Sequence, residues 1–345
     1  MTTTDQELGR IDTGAAHVRR SRLIEQGFRR STLAIGLCLI ALLIYLVVVL
    51  TSGAWRVFSA FGLHFFVGTD WNPVSGRESF GALPFIFGTI VTSFAAIVIA
   101  VPISVGLALF LNQVRGLLAN PLAVFVDILA AIPSIVYGLW GLFVLLPWLD
   151  KTVEPFLAAT IGKIPVIGAL FSGKTQGPDI FTASVILAIM ILPIVTAVSR
   201  EVIAVVPRDL REAALALGAT RWESVKMAVL PYARSGIVGA TMLGLGRALG
   251  ETIAVTMVIG NTPQIRASLF APAATIPSKI ASSFREASSV GLAHSALLGL
   301  AVTLLAWTFI LALISRWLVR RTERVVGDVI LDEDTTDGGQ IVTNR

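Results

Sequence analysis

The residues that could do chemistry in this chain are two opposite charges inside an apolar stretch. Arg247 and Glu251 are the charged side chains of the segment Ser235–Asn261. A charged side chain at mid-membrane depth costs about 2.5–3.5 kcal/mol, so such residues normally face a protein interior or a water-filled path. Thr252 adds a hydroxyl beside them. The pattern favours a transport path; the alternative is an ion pair that locks two helices together.

The chemistry of this segment suits an oxyanion. The guanidinium of Arg247 can hold an oxyanion through two parallel hydrogen bonds. Glu251 is predicted to share one helix face with Arg247 because the two are four residues apart. Glu251 would repel a bare dianion, but it could accept a proton from a partly protonated one or hold Arg247 in position. Phosphate carries such a proton near neutral pH and sulfate does not, so the pair favours phosphate. Gly246 and Gly250 predict close approach of another helix beside the charges.

A nucleotide-binding pattern elsewhere in the chain is interpreted as a coincidence. Residues 168–175 are G-A-L-F-S-G-K-T and match G-x-x-x-x-G-K-[ST]. In ATPases that loop lies between a strand and a helix and surrounds phosphates with backbone N–H groups. Here Gly177 and Pro178 interrupt the chain and an apolar stretch follows. We therefore predict a glycine-rich outer loop that binds no nucleotide.

The composition indicates that these segments belong to a membrane protein. The chain has 345 residues, of which 55% are hydrophobic and 14% charged, whereas soluble domains carry roughly 25% charged residues. This excludes a soluble enzyme, a disordered regulator and a coiled coil. The net charge of +5 comes from basic residues beside apolar runs, which suits membrane flanks better than nucleic-acid binding. Cys38 is the single cysteine and the histidines are far apart, so we predict no metal site, no cofactor and no catalytic residue.

Six apolar stretches are long enough to cross about 30 Å of hydrocarbon, which takes about 20 residues. They are Ser31–Leu50, Ser79–Val114, Pro121–Leu149, Ile180–Ser199, Ser235–Asn261 and Ala287–Ser315. Most lysines and arginines then fall on the side that holds both termini. We therefore predict an all-α membrane protein with six transmembrane helices and both termini in the cytoplasm. The predicted segments are a basic N-terminal segment (1–30), a first transmembrane helix (31–50), an outer segment (51–81), a core (82–318) with a cytoplasmic loop (200–234), and a cytoplasmic tail (319–345).

The cytoplasmic loop is predicted to form two helices joined by a glycine elbow. Asp209 is placed to cap the first helix, with Glu212 three residues later. Gly218 is placed to end that helix in a left-handed conformation. Thr220 and Glu223 match the capping-box pattern at the start of a second helix, which would end before the next transmembrane span. The alternative is a pair of interfacial helices that have no partner.

One face of the first loop helix is apolar and thin. Leu210, Ala213, Ala214 and Leu217 fall on that face. Because alanine side chains are short, another protein surface could approach the helix backbone closely.

This loop resembles the EAA loop of ABC-importer permeases. The matching residues are Glu212, Ala213, Ala214, Gly218, Leu230 and Pro231. Ala228 stands where the family pattern has isoleucine, a difference that affects one packing contact. The resemblance implies a type I importer permease core of the MetI-like kind. It also implies that the loop docks into a groove of a cytosolic ATPase and transmits its closure to the membrane helices.

The segment around the two charges resembles the phosphate-importer permeases. The similarity covers residues 246–252 and continues to Asn261. The long N-terminus, the outer segment and the loop 150–178 are more similar to the PstC-type subunit, and so is the sequence of residues 80–84. The resemblance implies a PstA-like second permease subunit, a PstB-like ATPase dimer that binds ATP and Mg²⁺, and a PstS-like outer phosphate-binding protein.

The first hypothesis is therefore a non-catalytic permease subunit of an ATP-driven phosphate importer in a prokaryotic cell membrane. Arg247, Glu251 and Thr252 would line the substrate path. The open alternatives are a PstA-type subunit, a permease for another oxyanion and an ion-coupled anion transporter that needs no ATPase. A further alternative is a membrane-embedded enzyme that uses Glu251 or Asp127 as an acid.

Overall fold

The computed structural model describes residues 4–74, 76–113, 119–165, 167–173, 177–287 and 291–337, and these are mostly helical. The α-helices are α1 (Thr4–Phe61), α2 (His64–Val67), α3 (Leu83–Gln113), α4 (Ala119–Ala131), α5 (Ser134–Trp140), α6 (Leu146–Trp148), α7 (Glu154–Thr160), α8 (Ile180–Ala204), α9 (Arg208–Ala216), α10 (Arg221–Ser224), α11 (Leu230–Gly250), α12 (Ile253–Val258), α13 (Ile276–Ser283) and α14 (Leu292–Asp337). Wider π-turns cover Gly141–Leu145, Leu149–Val153 and Val225–Val229, and 3₁₀ turns cover Ile161–Lys163 and Ile167–Phe171. Two short strands, β1 (Trp71–Asn72) and β2 (Ser79–Phe80), pair antiparallel with Trp71 opposite Phe80.

The chain divides into two units, one that ends at Gly53 and one that begins at Ala54. In the first unit, the side chains from Leu33 to Val49 are almost all exposed, as a helix surrounded by lipid requires. In the second unit, Phe65, Phe80 and other aromatic side chains form a buried cluster at the start of α3. The predicted outer segment is therefore folded onto the helical core of its unit.

Among the described residues, four helical segments are long and apolar enough to cross a membrane, and they coincide with four of the predicted spans. These are Glu25–Phe61, Leu83–Gln113, Ile180–Ala204 and Leu292–Arg320. The predicted third span is not one continuous helix, because Asn120–Ala131 and Ser134–Lys163 are bent by 95° relative to each other. The bend coincides with Pro133, which donates no backbone hydrogen bond and disfavours helical geometry in the preceding residue.

The predicted fifth span is also interrupted. Helix α11 ends at Gly250, Glu251 is extended with ψ 127°, and α12 begins at Ile253. Arg247 and Glu251 therefore do not share the face of one helix, and that prediction is wrong. Glycine weakens a helix, and the Thr252 hydroxyl donates to the Gly250 carbonyl at 3.2 Å, a local bond that competes with helix continuation.

The core of the second unit forms where α11 packs on α8 and α8 packs on α3. Gly236 and Gly244 permit the close approach of α11, because a Cβ atom at these positions would overlap Val202 and Val195 of α8. Gly246 and Gly250 meet nothing within 4 Å. The close helix contact predicted at Gly246 and Gly250 is therefore absent from the described part of the chain. Gly236 and Gly244, which come earlier in α11, make a close contact instead.

Candidate functional site

Arg247 lies in the last turn of α11 and lines an open cavity of about 580 Å³. Its side chain is exposed and that of Glu251 is half-buried. The other lining residues are Ile194, Met242, Leu243, Gly246 and Gly250. A cation and a carboxylate thus lie on an otherwise apolar wall that is open on one side. Such a wall can hold an anion when a second surface closes over it, because exclusion of water strengthens the attraction between charges.

Glu251 lies after the end of α11, and the break after Gly250 places this residue at the cavity. Thr252 is not among the lining residues. Its carbonyl accepts hydrogen bonds from the backbone N–H of Thr256 at 3.0 Å and from the Thr256 hydroxyl at 2.6 Å. The structure therefore brings two of the three predicted path residues together, and Thr252 instead stabilises the connection to α12.

Tyr137 is a polar neighbour of Arg247 that sequence reasoning missed. The charge of Arg247 acts on its hydroxyl, which donates to the backbone carbonyl of Leu129 at 2.8 Å. That bond connects α5 to α4 across the bend at Pro133. The signal in the sequence was a tyrosine soon after a proline inside an apolar run, where a freed carbonyl needs a donor.

The cytoplasmic loop has the predicted elbow and the predicted second cap. Gly218 has φ +87°, a left-handed conformation that glycine adopts without strain. The carboxylate of Glu223 accepts from the backbone N–H of Thr220 at 2.7 Å, and the Thr220 hydroxyl accepts from the backbone N–H of Glu223 at 3.3 Å. The bond from the Thr220 backbone N–H, and after it the bond that the Thr220 hydroxyl donates to the same carboxylate at 2.7 Å, lower the pKa of Glu223. Both predictions are confirmed.

The predicted cap of the first loop helix is wrong. Pro207 is the N-cap residue of α9, with φ −54° and ψ 136°, and no side chain caps this end. Asp209 lies within the first turn, where a negative charge is favoured by the helix dipole. The helix therefore starts at Arg208, two residues earlier than a cap at Asp209 implies.

The second loop helix does not end before Pro231, as predicted, but continues into α11. Helix α10 passes through the π-turn Val225–Val229 and joins α11, with Pro231 in its first turn. Proline has no backbone N–H, so the ordinary hydrogen bond to the carbonyl four residues earlier cannot form. The backbone widens just before this point. Loop and transmembrane helix are therefore one connected element.

Hydrogen bonds and packing attach the loop to the ends of α3 and α8. The guanidinium of Arg211 donates to the carbonyl of Ile203 at 2.9 Å, and the Ser224 hydroxyl donates to the carbonyl of Arg211 at 3.3 Å. Val225 and Val229 pack in a buried cluster with residues of α3 and α8. A movement of the loop must therefore also move these helix ends.

Most of the apolar face predicted for α9 is exposed. Ala214 is buried, whereas Leu210 and Ala213 are exposed and Leu217 is 90% exposed. Glu212 is exposed beside them. Among the described residues, an exposed apolar face of this kind is typical of a surface that another protein covers.

Comparison with known proteins identifies the family. A family profile described as "Binding-protein-dependent transport system inner membrane component" matches residues 100–324. The phosphate transport system permease protein PstC of Pasteurella multocida is 46% identical over 306 residues, which is 88% of this chain and 94% of that protein. PstC of Mesorhizobium japonicum is 45% identical over 314 residues, covering 90% and 95%.

The chain belongs to the PstC family of phosphate transport system permeases. It is a multi-pass protein of the bacterial inner membrane. An inward-facing structure of the MetNI methionine ABC transporter covers 68% of this chain and 91% of its own, with 19% identity and a TM-score of 0.45.

The other described positions that the sequence of this PstC-family chain singled out are not among the lining residues of the cavity. Asp127 and Cys38 are exposed. Gly168 of the nucleotide-binding pattern lies in a 3₁₀ turn rather than after a strand, and Lys174 and Thr175 lie outside the described residues. In the described ranges, no group of three or more His, Cys, Asp or Glu side chains could hold a metal ion.

Proposed function

We propose that this chain is the PstC-type permease subunit of an ATP-driven phosphate importer. The observation that carries this proposal is the open cavity of Arg247 and Glu251 in a chain whose PstC relatives match over most of its length. The cavity provides half of the substrate path. A PstA-like permease subunit completes it, a PstS-like binding protein delivers phosphate from outside, and a PstB-like ATPase dimer binds ATP and Mg²⁺ and hydrolyses ATP.

In this proposal Arg247 is the counter-charge for the passing anion. It lies in the last turn of α11, and its exposed side chain lines the cavity together with Glu251. A planar guanidinium binds two phosphate oxygens at once. The carboxylate of Glu251 accepts a hydrogen bond from the P–OH group of monohydrogen or dihydrogen phosphate, or orients Arg247 as the ion passes.

The cytoplasmic loop (200–234) acts as a coupling loop, which transmits the motion of the ATPase. Leu210, Ala213 and Leu217 offer an exposed apolar face, with Glu212 beside it, and this face docks into the ATPase groove. The elbow at Gly218 directs the movement into α10 and onward through Leu230 and Pro231 into α11, which ends at Arg247. Binding of the ATPase in its closed state and opening of the path are then linked free energies, so each biases the other.

Six crossings with both termini in the cytoplasm accompany this proposal. The bent pair α4 and α5–α7 provides one crossing. Helix α11 has 21 residues, a length of roughly 31 Å that matches the hydrocarbon core. Its arginines and glycines make it less apolar than the other spans, as suits a helix that borders a water-filled path.

The test is phosphate uptake into vesicles that contain the complete transporter. Arg247→Ala should reduce ATP-dependent uptake of labelled phosphate by at least about 100-fold, since a path of this depth needs its counter-charge. Arg247→Lys should retain part of the uptake, because it keeps the charge and loses the planar fork. Arg266→Ala, at an exposed arginine that does not line the cavity, is the matched control. Normal uptake by an assembled Arg247→Ala transporter would exclude this role.

The same vesicles separate the alternatives. An ion-coupled transporter would accumulate phosphate on an imposed ion gradient without ATP, and the present proposal expects none. A permease for another oxyanion would show competition by sulfate that is as effective as competition by phosphate. Mass spectrometry of the copurified subunits distinguishes the PstC-type assignment from the PstA-type one.

A further inference from the structure

Two acidic side chains outside the cavity are completely buried against each other. Glu154 is the first residue of α7 and Asp179 is the N-cap residue of α8, and both are 0% exposed. Their carboxyl groups interact directly with each other. Among the described residues, both oxygens of Glu154 and the Oδ2 oxygen of Asp179 are buried without a hydrogen-bond donor. The Oδ1 oxygen of Asp179 accepts from the backbone N–H of Thr182 at 2.7 Å. The pair therefore joins the second arm of the bent helices to the start of α8.

A hydrogen bond between two carboxyl groups requires a proton on one of them. Two ionised carboxylates in contact would repel each other, and burial adds to that cost. Burial raises the pKa of Asp179, which lies just outside the span. The charged side chain that acts on both members is Asp150, of the preceding π-turn, and it is also acidic. Within the described residues, neither oxygen of Glu154 has a donor in the protein, so the proton is the counter-charge.

The acid pair is connected to the candidate path by the backbone. The N–H of Asp179 donates to the carbonyl of Val258 at 3.0 Å. Val258 is the last residue of α12, and α12 begins two residues after Glu251. One end of α12 therefore depends on the geometry at Asp179 and the other end determines where Glu251 lies.

We propose that Glu154 and Asp179 share one proton as a positioning latch, which holds α7, α8 and α12 together and so orients Glu251 toward the cavity. When the proton leaves, two or three adjacent negative charges remain in a buried place and the latch opens. The orientation of Glu251 as a path residue rests on the proposed function; the shared proton and its pH dependence do not. The folded state binds the extra proton and the unfolded state does not, so stability must fall as pH rises.

The first experiment measures thermal stability of the complete transporter in lipid nanodiscs between pH 6 and pH 9. Glu154→Gln is the test variant, because its amide still donates to Asp179 but cannot lose a proton. Glu201→Gln, at an exposed acid of α8, is the matched control. We expect the Tm of the wild type and of Glu201→Gln to fall across this range by at least about 3 °C more than the Tm of Glu154→Gln. Equal pH profiles for wild type and Glu154→Gln would overturn the proposal.

A second variant keeps the test decisive if Glu154→Gln does not assemble. Asp179→Asn retains an N-cap that can accept from Thr182 and leaves Glu154 a hydrogen-bond partner without a second charge. It should show a weaker alkaline fall in Tm than the wild type, because the second negative charge is gone while Glu154 stays buried, and a fall as steep as that of the wild type would contradict the latch.

Phosphate uptake then tests the positioning role. The protonation of phosphate itself affects all variants alike, so the informative quantity is the ratio of uptake by Glu154→Gln to uptake by wild type. This ratio should rise at least about threefold between pH 6 and pH 9, and a constant ratio would exclude positioning. If the wild type took up no phosphate at any pH, the proposed function would fail, and the Tm comparison would still decide whether the acid pair shares a proton.

Discussion

The two ends of α11 are built in opposite ways. At its start, the helix is continuous with the coupling loop through the turn Val225–Val229, and capping and packing hold that loop to neighbouring helix ends. At its far end the helix stops at Gly250, and Arg247 lies on a cavity open on one side. The start of α11 is fixed to its surroundings, whereas its far end borders an open space. In the proposed function, the start receives the movement of the loop and the far end meets the ion. A transport subunit needs both properties in one element.

The largest effect should come from separating α11 from α8 near the fixed end. At Gly236 an added Cβ overlaps the side chain of Val202, whereas at Gly239 it meets nothing within 4 Å. Gly236→Ala should therefore destabilise the assembled transporter by about 1–3 kcal/mol through overpacking. Gly239→Ala should be neutral or stabilising by up to about 1 kcal/mol, because alanine favours the helix. Thermal unfolding in nanodiscs measures both, and equal shifts would show that α11 does not depend on this contact.

The second-largest effect should come from a substitution at the glycine elbow, Gly218. Gly218→Val places a β-branched residue at φ +87°, at a cost of about 1–2 kcal/mol. We expect the variant to hydrolyse ATP while its phosphate uptake per ATP falls several-fold. Gly218→Asn is the control, because asparagine tolerates the left-handed region. Unchanged coupling in Gly218→Val would mean that the loop transmits motion without this conformation.

The smallest effect should come from the cap of α10. Thr220→Ala removes the hydroxyl that accepts from the backbone N–H of Glu223, a loss of about 1 kcal/mol. Amide hydrogen exchange in residues 221–224 should become about fivefold faster. Exchange at the start of α12 should not change, because that region lies at the other end of α11. Faster exchange at both ends would contradict the division described above.

The sequence predicted the parts of the fold that depend on local chemistry. Four spans follow from apolar length alone, and the elbow at Gly218 and the box at Thr220 and Glu223 follow from residue type and spacing. The breaks were harder to predict, because Pro102 and Pro193 lie inside continuous helices whereas Pro133 marks a bend. Whether a neighbour satisfies the freed carbonyl is a tertiary property, and the local sequence does not contain it.

The charged residues of the candidate site could be predicted from the sequence, but their arrangement could not. The cost of a charge at membrane depth singled out Arg247 and Glu251, and both line the same cavity. The helix that would put them on one face ends between them. Tyr137 and the acid pair were missed because their partners are distant in sequence, and contacts such as that between Glu154 and Asp179 arise only when the chain folds.

The π-turn before Pro231 sets the angular position of everything that follows it. Such a turn accommodates one residue more than the α-helical repeat, and one residue corresponds to about 100° around a helix axis. If the turn closed to α geometry, the rest of α11 would rotate by about that angle, and the guanidinium at its far end would swing off the cavity wall. A small change in winding between the loop and α11 would thus present or withdraw the charge by rotation alone.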